Sequence, residues 1–95
     1  MAQFEMNALD KFQIKGVGLI IVGDVKSGSV AVGDKATISN GDVVIESIVT
    51  SIVIGRERVD NYTYSEDNTE IGLAFPNMKR TDLKGATDQY VVTIG

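Results

Sequence analysis

Residues 16–38, GVGLIIVGDVKSGSVAVGDKATI, restrict the chain more than any other stretch. Two apolar segments, 17–25 and 30–38, are interrupted at Gly28 and Gly33, where the backbone bends with no Cβ penalty. Gly16 and Gly18 bracket Val17 just ahead of the unbroken run Leu19-Ile20-Ile21-Val22, which suits a strand covered on both faces or bent across a barrel. Glycines at the corners of apolar strands are β-barrel punctuation.

The rest of the chain fits that frame. Phe4-Glu5-Met6 and, more loosely, Leu9 to Ile14 alternate apolar and polar, predicting two short strands with a break at Asn7-Ala8. Ser27-Gly28-Ser29 reads as a turn, and the extended piece from Val30 ends in a second turn at Gly33-Asp34, before 35–39 alternates again. Asn40-Gly41 is the strongest hairpin signal, because a type I′ turn needs positive φ at both central residues, and its partner strand starts at Asp42. From Val43 to Ile54 only Glu46, Ser47, Thr50 and Ser51 are polar, and the β-branched content disfavours a helix. One long bent strand is expected there, or two with a kink near Glu46-Ser47. Residues 55–68, GRERVDNYTYSEDN, form a polar middle in which Tyr62 and Tyr64 flank Thr63 in a brief strand between loops. Strand pattern returns over 70–75 until Pro76 removes a ladder donor. Residues 79–85 predict one helical or 3₁₀ turn closed by Gly85, and 89–94 the last strand. The expected core is Leu19, Ile21, Val25, Val32, Ile38, Val43, Ile45, Ile48, Ile52, Ile71, Leu73 and Val91.

A chain of 95 residues supports one core, so a single domain spans 1–95. Its charge is mildly acidic, with 9 Lys+Arg against 13 Asp+Glu. The deficit is spread evenly before and after Arg56, and a strong nucleic-acid footprint is not expected. The absence of Cys and His excludes disulfides, thiolate or imidazole metal ligands and any His- or Cys-based triad. The N-terminus carries no basic-then-apolar signal, and the apolar runs fall far short of the ~18 residues of a membrane helix. A cytoplasmic protein with no membrane association is expected, and the opening Met favours a free-standing domain over the excised middle of a longer chain.

Gly18 and Gly23 have the opening spacing of a phosphate loop, yet Asp24 stands where its lysine belongs and the intervening residues are apolar strand. No nucleotide binding is expected. The Asp and Glu residues lack calcium-loop spacing and fall mostly at turns, where Asp serves local hydrogen bonding. Neither a metal nor any other cofactor is implied. Arg56, Arg58, Lys79 and Arg80, with Tyr62 and Tyr64, are the one group suited to an RNA-facing surface, although Glu57, Asp60, Glu66 and Asp67 also fit a solvated loop.

The order Gly-x-Gly, apolar run, Gly-x-Val, Lys-Ser-Gly, Val-x-Val-Gly-Asp resembles domain II of the translation GTPases typified by elongation factor Tu. A second match follows in register: Gly72-Leu73, Asn77-Met78 and the run from Lys79 to Gly85 are similar to that family's Gly-Leu strand and its charged turn. The resemblance covers about residues 4–85. It implies a single antiparallel six- or seven-stranded Greek-key-like barrel, all-β, in agreement with the strand pattern. In those factors the barrel sits behind a GTPase domain, touches small-subunit ribosomal RNA and, in tRNA carriers, helps hold the aminoacyl 3′ end. Arg56 resembles the arginine of that pocket, while its asparagine is matched by Asn68 with a gap or replaced by Glu70 without one. The family segment that is usually basic at both ends carries Asp24 and Ser27 around Lys26 here.

The expected function is therefore that of a non-enzymatic binding module docking onto RNA or protein. The residues assigned to the partner are Arg56, Arg58, Tyr62, Tyr64, Asn68, Lys79 and Arg80. A rival expectation is a structural protein forming homo-oligomers, in which the apolar strand of 43–54 pairs with a second copy.

Overall fold

The computed structural model describes residues 4–39, 44–76 and 90–94. They form the strands β1 (Phe4–Ile14), β2 (Gly18–Ala31), β3 (Lys35–Ser39), β4 (Val44–Ile48), β5 (Ser51–Ile54), β6 (Glu57–Val59), β7 (Asn61–Thr63), β8 (Glu70–Phe75) and β9 (Val91–Ile94). The hydrogen-bonded path runs β4-β3-β9-β1-β2-β8-β5-β6, with β7 on the far end of β2, and every pairing is antiparallel. No ladder joins β4 to β5; the chain itself does, through Val49 and Thr50. The ring therefore has seven strands, or six if β4 and β5 count as one bent strand, with β6 and β7 as additions.

The bend in 43–54 falls at Val49-Thr50, not at Glu46-Ser47. Val49 is clasped there by two backbone bonds, Gly33 N–H to its carbonyl at 2.8 Å and its own N–H to the Asp34 carbonyl at 2.9 Å. Thr50 N–H reaches the Ala74 carbonyl at 2.9 Å, tying the bend to β8. Inward parity changes across it: Ile45 and Val49 point in before the bend, Ile52 after it. This leaves Ile48 52% exposed, contrary to expectation.

Two further parity changes come from β-bulges. In the β1–β2 ladder, Ala8 pairs Gly23 and Asp10 pairs Val22, so Leu9 is an extra residue on β1. Glu5 pairs Ser27 and Met6 pairs Val25, so Lys26 is the extra residue on β2. The expected break at Asn7-Ala8 is thus a bulge one residue later within a continuous strand. Phe4 and Met6 point into the core, whereas Phe12 and Ile14 beyond the bulge point out. Likewise Ser27-Gly28-Ser29 is not a turn. It lies within β2, bent at the Lys26 bulge and at Gly28, whose φ is 89°.

Leu19, Ile21, Val25, Ile38, Ile52, Ile71 and Leu73 are buried as expected, and Ile45 packs against them. Phe4, Met6, Val30, Ala36, Tyr62, Phe75, Tyr90 and Val92 complete much of the core. Val32 instead sits exposed in the Gly33-Asp34 turn, and Val91 is half-buried because β9 turns Val92 and Ile94 inward. Val43, the Asn40-Gly41 turn and the expected turn of 79–85 lie outside the described residues, although the hairpin that Asn40-Gly41 joins is formed, from Lys35↔Ile48 to Ser39↔Val44.

Candidate functional site

The polar middle is more ordered in its pairing than two loops around a brief strand. Gly55, at φ 63°, and Arg56 make a two-residue turn closing the β5–β6 hairpin, with Ile54 opposite Glu57 and Val53 opposite Arg58. Arg56 sits at the hairpin tip and Arg58 on its outer strand, both exposed. The chain then turns into β7, which pairs Asn61–Thr63 with Ser29, Val30 and Ala31 at the end of β2.

That pairing buries Tyr62, which is 4% exposed, and its hydroxyl donates to the Asn68 carbonyl. Tyr62 therefore belongs to the core and closes the loop over 65–68 rather than presenting a ring to a partner. Tyr64 remains 39% exposed, held by its N–H to the Gly28 carbonyl at 2.8 Å. Asn68 is exposed and bridged to Ser65. Lys79 and Arg80 lie outside the described residues.

The registers reveal a surface that pattern reading missed. Directly paired residues share a sheet face, so two rows cross the outside of the barrel. One runs Asp10, Val22, Gly72, Val53, Arg58; the next runs Phe12, Ile20, Ala74, Ser51. Along the first of them opens a groove of about 240 Å³, lined by Ile20, Val22, Val53, Gly55, Ile71, Gly72 and Glu70. Glu70, not Asn68, lines it. Asp24 pairs with Glu70 across β2 and β8. The Lys26 ammonium lies 2.8 Å from the Asp24 carboxylate and, with the Thr69 hydroxyl, holds Asp24 below the ordinary carboxylate value of 3.8. Glu70 has no ion pair among the described residues.

Among the described residues, no three Asp or Glu gather where they would hold a metal ion, and no helix is long and apolar enough to cross a membrane.

No protein-family model matches the sequence, and no curated protein matches it. Among solved structures, 132 chains match. One is the crystal structure of bacterial selenocysteine-specific elongation factor EF-Sec, with a TM-score of 0.77 and 18% identity over 98% of this chain. The chain spans only 15% of that protein's length. At such identity the match establishes the fold, which is the elongation-factor barrel that the resemblance implied. A fold so widely shared leaves function to be argued from the surface.

Proposed function

We propose that this barrel is a non-enzymatic docking module of the translation-factor type, working in the cytoplasm and engaging a macromolecular partner through the β5–β6 hairpin and the outer face beside it. The observation that carries this reading is the placement of Arg56 and Arg58 on a two-residue hairpin whose inner strand, β5, continues into an apolar face. A short hydrogen-bonded hairpin fixes the backbone that carries the arginines, so that only their side chains remain to be ordered on binding, and arginine beside exposed apolar surface suits an interface. The Asp24–Gly28 segment is the weaker candidate, since its one cation, Lys26, is already committed to Asp24.

The test is affinity capture from cell extract with the wild-type chain and with Arg56→Ala/Arg58→Ala, with and without nuclease. Specific partners retained by the wild type and lost by the double variant support the reading. An identical set on both proteins removes the hairpin from it. A second reading, self-association, has one observation in its favour: among the described residues β4 is paired only with β3, and it exposes Val44 and Ile48. Glu46 lies midway along β4 with the Lys35 ammonium 2.9 Å from its carboxylate, so a two-fold antiparallel pairing centred on it brings two compensated charges together. Light scattering at high protein concentration separates the two readings, a monomer leaving only the first.

A further inference from the structure

Glycine in the interior of a paired strand needs a reason, because it costs stability and packs nothing. Gly18 and Gly23 have one. Gly18 sits at φ 116°, and a Cβ on Gly23 meets the Asn7 carbonyl oxygen at 2.5 Å. Gly72 has neither reason. It carries no positive φ, and a Cβ built on it finds Ile20 Cγ2 at 3.5 Å, Val22 Cγ2 at 3.8 Å and Val53 Cβ at 3.9 Å, all ordinary contacts. Gly72 lies between β2 and β5 in the sheet, and its missing side chain is what hollows the groove on the outer face.

The groove's volume, about 240 Å³, is below the ~300–1,000 Å³ of small-molecule sites but ample for one inserted side chain. Its lining contains, among the described residues, no aromatic ring on which a base would stack. Among the described residues that line it the charged one is Glu70, whose neighbour Asp24 already has Lys26 while Glu70 has no ion pair among the described residues. Glu70 is two residues along the strand from Gly72, roughly 7 Å. Arg58, paired with the groove-lining Val53, and Arg56, next to Gly55, border the other side of the groove, the strand of Arg58 lying two away from that of Glu70, roughly 10 Å by strand spacing. The Glu70 carboxylate repels phosphate and attracts an ammonium or guanidinium.

We infer that the groove over Gly72 receives an aliphatic side chain of a protein partner, with an adjacent Lys or Arg of that partner facing Glu70. This rests on the docking reading above and names protein, rather than RNA, as the partner class at this site. The apolar anchor supplies affinity and the charge supplies orientation.

The probes are acetyl-Leu-Lys-amide, acetyl-Leu-Glu-amide and a six-residue oligoadenylate, each titrated into the isotope-labelled chain and followed by amide NMR shifts. The expected result is millimolar binding of the Leu-Lys probe, with shifts centred on Val22, Val53, Glu70 and Gly72, and about threefold weaker binding of the Leu-Glu probe at low salt. Glu70→Gln should remove that preference while keeping binding. Gly72→Val, which fills the hollow, should abolish binding of both peptides, with an unchanged spectrum elsewhere showing the fold intact. Saturable shifts of the same amides by the oligoadenylate alone would overturn the inference in favour of RNA and leave the docking reading standing. So would peptide shifts unaffected by Gly72→Val. An identical set of captured partners on both proteins in the extract experiment, by contrast, counts against the hairpin docking reading and not against the groove.

Discussion

Gly23 and Gly72 lie in adjacent strands of one sheet, one residue pair apart, yet a methyl group should act on them in opposite directions. At Gly23 the new Cβ points into the core and meets the Asn7 carbonyl oxygen at 2.5 Å and Met6 Cγ at 2.7 Å. Met6 has other rotamers, but the carbonyl belongs to the β1–β2 ladder and moves only if the ladder does. Overpacking of this kind costs about 1–3 kcal/mol, and an immovable backbone atom puts Gly23→Ala at the upper end. At Gly72 the Cβ points outward with its nearest atom 3.5 Å away. Only the entropy term remains, so Gly72→Ala should gain about 0.5–1 kcal/mol. In urea, with an m-value near ~1 kcal/mol/M for a small domain, the midpoint should fall by roughly 2–3 M for Gly23→Ala and rise by roughly 0.5–1 M for Gly72→Ala. A loss of more than about 1 kcal/mol in Gly72→Ala would refute the claim that nothing structural requires that glycine.

Leu73→Ala, removing a fully buried side chain between Ile21 and Ile52, should cost about 2–5 kcal/mol by urea unfolding, whereas Ile48→Ala, at 52% exposure, should stay within about 0.5 kcal/mol. Tyr62→Phe should lose about 0.5–1.5 kcal/mol with the hydroxyl bond to Asn68, and a hydrogen-exchange experiment should show faster exchange across 65–68. The Asp24 carboxyl should titrate below 3.8 by NMR and move toward it in Lys26→Ala. Since its folded value is depressed, its share of stability is present above the unfolded value and fades as pH falls through the folded one, and a midpoint above 3.8 would contradict the pair.

Side-chain pattern and glycine placement by themselves determined an all-β chain with barrel-like corners, and the resemblance to the elongation-factor barrel supplied its antiparallel order. Short β-branched runs broken by glycine at 16–38, and a proline closing 70–75, call for short strands rather than helices. Seven of the twelve expected core residues, Leu19 and Leu73 among them, are buried, because period-two alternation fixes a face wherever a strand is regular. Where it failed, at Ile48, Val32 and Val91, the failure was one of parity or of turn position. A bulge at Leu9 or Lys26, or a bend at Val49, exchanges inside and outside for every residue after it, and such irregularities arise from pairing between distant strands. The candidate site divides in the same way. The surface position of Arg56 and Arg58 was legible because charge between two apolar runs lands on a surface. Tyr62 was misplaced because only the pairing of β7 with β2 buries it. The groove was invisible, since Val22, Gly72 and Val53 meet only through the registers of three strands drawn from separate parts of the chain.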